Sequence, residues 1–136
     1  MIRTRSTLPS LTPSVRDMEA MAAEALETIP EPFRRYTDGV LIRVEDFPDP
    51  EIRQEMGLES PFDLLGLYSG VSLDRRSVSD PPRDVDMIFL YRRPILAYQR
   101  DTGENLEHIV RHVLIHEIGH HFGLSDDDME RIEDEE

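Results

Sequence analysis

The chain has 136 residues, a formal net charge of −14 and no cysteine. That length suits one domain with a modest core. The charge argues against binding nucleic acid or an anionic membrane surface, whose phosphates it would repel, and the missing thiols exclude disulfides and thiolate metal ligands.

Apolar residues make up 38% of the chain, on the low side for a globular domain, and charged residues 32%, which is high, but charge alone does not force disorder. All basic residues are arginine, so lysine Schiff-base chemistry is closed. The opening "MIRTRSTLPSLTPS" has no apolar core of signal-peptide length. It reads as a loose polar arm over residues 1–12, ahead of a single domain over 13–136. No run approaches the ~20 apolar residues of a membrane span. The expected location is therefore cytoplasmic.

The first helix is expected in "TPSVRDMEAMAAEALETIP". Val15, Met18, Ala22, Ala25 and Ile29 recur at helical spacing, with Pro13 and Ser14 at the start and Pro30 as a stop. A short strand follows at Val40–Val44, with Val40, Ile42 and Val44 on one face. "FPDPEIRQEMGL" suggests a short helix. "DLLGLYSGVSL" reads as a strand or hairpin, with Gly66 and Gly70 as a bulge or turn, and "RRSVSDPPRD" as a polar loop. "VDMIFLYRR" is the strongest strand pattern, and "PILAYQR" reads as one helical turn. "DTGENLEHIVRHVLIHEIGHHFG" is the strongest helix, with Asp101 and Glu104 suited to a capping box and Gly123 to a terminator. "SDDDMERIEDEE" restarts as a short acidic helix. The order implies an α+β domain: a small sheet covered by an N-terminal helix and a long helix, with a short C-terminal helix.

The long helix carries the chemistry. His116 and His120 stand at i and i+4, so their rings lie roughly 40° apart on one face, a turn apart. Both can reach one metal ion at about 2.0–2.1 Å. Glu117 is rotated by about 100° from His116. There it can take a proton from an activated water without binding the metal itself, and later return it to a leaving amine. This is the HExxH arrangement.

Two imidazoles leave a catalytic site one protein ligand short. Gly123 permits a sharp exit from the helix, and Asp126, three residues on, can approach the metal as the chain turns back. The string is HExxHxxGxxD: His116, Glu117, His120, Gly123 and Asp126. Asp127 and Asp128 are neighbouring alternatives, and Glu130 or Glu133 could reach back from the final helix. Gly119 gives close helix packing or room beside the metal. His108 and His112 continue the i, i+4 series; His112 with His116 forms a rival pair, but Val113 stands where a glutamate would be needed, so both read as exposed or capping. His121 points away from His120 and reads as either a supporting or a surface residue.

"HEIGHHFGLSDDDM", with "LLGLYSGVSL" and "IFLYRRPIL", resembles the small bacterial zincin-like metallopeptidase family, or minimal zincins, from about Met18 to Met129. The resemblance implies a compact zincin-like fold, Zn2+ on His116, His120 and Asp126, and Glu117 as catalytic base. It also implies a peptide or protein substrate, which could pair with an edge strand at Leu64–Tyr68. The larger metzincins carry a methionine turn under the metal; here only Met129 follows Asp126, on an expected helix. The expected function is zinc-dependent peptide hydrolysis. A metal-binding interaction module without hydrolysis is the alternative, and hydrolysis of a non-peptide amide a third reading. Tyr68, Tyr91 and Tyr98 are candidates to polarise a carbonyl.

Overall fold

The computed structural model describes residues 12–69 and 86–134. Residues 1–11 of the N-terminal arm, Gly70 and the loop "RRSVSDPPRD" lie outside these residues. The elements in chain order are α1 (Val15–Glu27), a 3-10 helix (Phe33–Thr37), β1 (Leu41–Glu45), α2 (Pro50–Met56), β2 (Gly66–Ser69), β3 (Met87–Tyr91), α3 (Arg92–Thr102), α4 (Leu106–Phe122) and α5 (Asp126–Asp134). This is the α+β arrangement expected from the pattern.

Helix α1 begins where a capping box fixes it. Ser14 Oγ accepts from the Asp17 amide and Asp17 Oδ2 accepts from the Ser14 amide, each at 3.0 Å, which satisfies two of the amides left open at a helix start. Its Met18, Ala22 and Ala25 stripe is buried and packs on α4.

The three strands lie in the order β1-β3-β2. β3 is central, parallel to β1 with Val44 opposite Leu90 and antiparallel to β2 with Tyr68 opposite Ile88. Ile88 and Leu90 are fully buried. Strand β2 forms one edge and runs beside α4. Gly66 lies within that strand rather than at a bulge or turn. A Cβ there would stand 2.6 Å from Val113 Cγ1, so the glycine lets the strand lie directly on the helix.

Two local expectations are corrected. "PILAYQR" belongs to an 11-residue helix, not a single turn. Pro94 falls in the first turn of α3, where the amides have no intrahelical partner and proline removes nothing. The capping box at Asp101 and Glu104 does not form: Asp101 is still within α3, which ends at Gly103 in the left-handed conformation (φ 74°). The cap of α4 is Asn105, whose side chain accepts from the His108 amide at 3.0 Å. Nine of the 17 residues of α4 are buried, which makes it the central helix of the domain. No helix among the described residues is long and apolar enough to cross a membrane.

Candidate metal and catalytic centre

Helix α4 stops at Gly123, whose left-handed conformation (φ 70°) turns the chain back. The Leu124 amide donates to the Gly119 carbonyl at 2.9 Å, and Ser125 Oγ receives the Asp128 amide at 3.0 Å to start α5. The result is a tight helical hairpin. Its close approach depends on Gly119, because a Cβ there would come within 2.2 Å of Met129 Sδ. Met129 is buried and fills the space that the glycine leaves. Of the two roles read for Gly119, this is the packing one.

Arg111 locks the far end of the hairpin. It is 7% exposed. Its guanidinium donates to the carbonyls of Ile132 at 2.8 Å and Glu133 at 3.0 Å, and its Nε donates to Thr28 Oγ1 at 2.8 Å. A cation on the last carbonyls of a helix satisfies groups that lack an intrahelical partner and complements the helix dipole. One side chain therefore ties α5 and the end of α1 to α4.

The antiparallel register of the hairpin lays Glu133 against the middle of α4. Glu133 Oε1 is 2.7 Å from His112 Nδ1, and Oε2 is 3.2 Å from His116 Nε2. The His112 and His116 rings are 4.2 Å apart between centroids. These three residues offer ligand atoms within 4.8 Å of one another. They border a cavity of about 490 Å³ with Asp126, Met129 and Glu130. His116 is half-buried there, and Asp126 is exposed at its rim. His120 is exposed, its ring edge-on to His116 at 6.0 Å; neither it nor Asp126 joins the three-residue group among the described residues. A larger cavity of about 730 Å³ lies at the other end of α4, bordered by Glu24, Thr28 and Asn105; no second convergent group of three ligands occurs among the described residues.

Glu117 points to the sheet instead. Its Oε1 accepts the Tyr68 amide of edge strand β2 at 3.0 Å. Burial pushes its carboxyl above the ordinary carboxylate range, opposed by that hydrogen bond and by the charge of His120. The Tyr68 ring stacks on His121 at 3.8 Å, so His121 braces the strand against the helix. Burial, and then Asp86, raise the Tyr68 phenol, which keeps it protonated. Tyr91 is buried in the core, its phenol raised by burial and nearby carboxylates to about 12. Tyr98 is exposed on α3, its hydroxyl 3.4 Å from Glu104.

His112 is exposed, as its place in the sequence suggests, yet it meets Glu133, which the sequence offers only as an alternative ligand. The signal was the unbroken i, i+4 series of His108, His112, His116 and His120; the hairpin register that selects Glu133 is a tertiary fact.

The donors along this hairpin are imidazole and carboxylate, a set that suits zinc or a similar transition ion better than calcium or magnesium. A family model described as zincin-like metallopeptidase matches residues 37–136. The chain belongs to the zincin-like metallopeptidase family. Comparison with curated proteins gave no match.

Proposed function

We propose that the protein is a zinc-dependent peptidase in which His116, His120 and Asp126 hold the metal and Glu117 is the general base. Zinc, when bound, supplies Lewis acidity that brings the pKa of water towards about 7 and polarises a carbonyl.

The residues of the chain do the rest. Glu117 takes the proton of the attacking water and returns it to the leaving amine. Its partial burial favours the proton-bearing form, which suits a group that must carry a proton between two steps. A peptide lies along the stretch read as Leu64–Tyr68, whose strand is observed at Gly66–Ser69, and adds a strand there. The Tyr68 amide, now donating to Glu117, then donates to a substrate carbonyl instead, and the carboxylate is released towards the reacting atoms.

The observation that carries this reading is the Glu117–Tyr68 hydrogen bond. It holds Glu117 against the edge strand, which supports a role for this carboxylate between a strand-paired substrate and the metal of this reading. The family match supports it. The ligand set is tested by metal analysis of the purified full chain beside His116→Asn and Asp126→Asn. One equivalent of zinc is expected, absent in the first variant and weakened in the second; zinc retained at full affinity in both would refute the ligand set.

A further inference from the structure

We propose a second metal position on the same hairpin, formed by His112, His116 and Glu133, one turn towards the N-terminus of α4 from the HExxH position and mutually exclusive with it. The inference rests on the metal of the reading above but not on its hydrolysis.

The three ligand atoms already face one another. The Glu133 carboxylate spans both rings, at 2.7 Å to His112 Nδ1 and 3.2 Å to His116 Nε2. Ligands on a tetrahedral ion with bonds of about 2.0–2.2 Å are separated by roughly 3.3–3.5 Å. The three ligand atoms lie within 4.8 Å of one another, so an ion placed among them requires their separations to change by no more than about 1.5 Å.

Glu133 is also a fixed group, unlike the exposed acids around it. Arg111 holds its carbonyl and that of Ile132, Ile132 is buried, and only 21% of the Glu133 side chain is exposed. Two imidazole nitrogens and one carboxylate are the ligand chemistry of zinc or cobalt(II). With these three ligands in place, the fourth position of a tetrahedral ion is left for water or a further carboxylate from the cavity rim.

His116 Nε2 can serve one ion at a time. In this structure it faces Glu133. An ion held by His112, His116 and Glu133 would sit on the His112 side of His116, a turn back along α4 from His120, and so farther from Glu117 than an ion at the HExxH position. The position is a resting one: metal stays on the protein without the catalytic arrangement.

The test measures zinc affinity by competition with a chelating dye, and the electronic spectrum of the cobalt(II) form, on the full chain. The variants are His120→Asn, and His120→Asn combined with either His112→Asn or Glu133→Gln, each checked for folding by far-UV circular dichroism. His120→Asn is expected to retain one equivalent of metal. Each added substitution is expected to weaken zinc binding by tenfold or more, since loss of even an outer partner costs on the order of 10–100-fold, and to change the cobalt spectrum. The proposal is overturned if His120→Asn binds no metal, or if neither added substitution alters affinity or spectrum. If one double variant does not fold, the other decides. Metal binding without peptide cleavage counts against the peptidase alone; cleavage with metal indifferent to His112 and Glu133 counts against this position alone.

Discussion

The Glu117 carboxylate and the Tyr68 backbone amide are joined by a 3.0 Å hydrogen bond, so the proposed base on α4 is fastened to the edge strand along which the proposed substrate would pair. The strand, the helix and the base form one mechanical unit, and perturbing any of them is expected to disturb the others.

The first consequence concerns pH. The folded-state pKa of Glu117 is raised, so in the window between the unfolded and folded values the folded chain binds more protons. Stability contributed by this group is then full below the unfolded pKa and falls as pH rises through the folded one. At neutral pH the ionised carboxylate costs stability. Glu117→Gln removes the charge while its amide oxygen can still receive the Tyr68 amide. Thermal melts of metal-free protein should show a higher Tm for the variant at pH 7 and a difference that vanishes below about pH 4, where the wild-type carboxyl is protonated in both states.

The second concerns Gly119 and Met129. Alanine at 119 places a Cβ within 2.2 Å of Met129 Sδ. Overpacking of this kind costs about 1–3 kcal/mol, and truncating Met129 alone costs about 2–5 kcal/mol. Gly119→Ala with Met129→Ala should cost less than the sum, because the smaller side chain removes the clash. Denaturant titration of the four proteins in the cycle reads that coupling; strict additivity would show that the two residues do not share a contact.

This pair also marks the limit of what the sequence discloses. The stop at Gly123, the acidic helix after it and the stripe of α1 were legible because glycine and apolar periodicity act locally. The 11-residue helix of α3 was not, since Pro94 reads as a break until its place in the first turn is known. Gly66 looked like a turn for a similar reason: a glycine is ambiguous until the partner that needs its bare backbone, here Val113, is in view. At the site, the histidine series and Glu117 were visible in the spacing. The meeting of Glu133 with His112 and His116 depends on how two helices align after a turn, and no local pattern encodes it.

The third concerns Arg111. Replacing it by methionine keeps much of the bulk and leaves the Ile132 and Glu133 carbonyls without their donor. Hydrogen bonds to a charged group contribute about 1.5–3 kcal/mol, so a loss of roughly 2–4 kcal/mol is expected in chemical denaturation. Limited proteolysis should cut earlier near the loosened α5, and zinc affinity should fall with it. An unchanged cleavage pattern would show that α5 is held by its apolar face alone.

A fourth concerns the strand. Gly66→Ala drives a methyl group into Val113 and should push β2 off α4, lengthening the Tyr68–Glu117 contact. Peptide turnover is expected to fall, and Val113→Ala in the same chain should restore part of it. Equal turnover in all three proteins would mean that the strand position does not matter to the base.

The central claim is that Glu117 moves the proton in a metal-dependent peptide hydrolysis. Its most direct measurement is cleavage of a panel of unstructured proteins by the zinc-loaded chain and by zinc-loaded Glu117→Gln, with metal content assayed in the same samples. Cleavage by the wild-type chain that a chelator stops and added zinc restores, lost by at least about 100-fold in a variant that still holds its zinc, is the predicted result. Undiminished cleavage by Glu117→Gln, or none by the zinc-loaded wild type, would contradict the account.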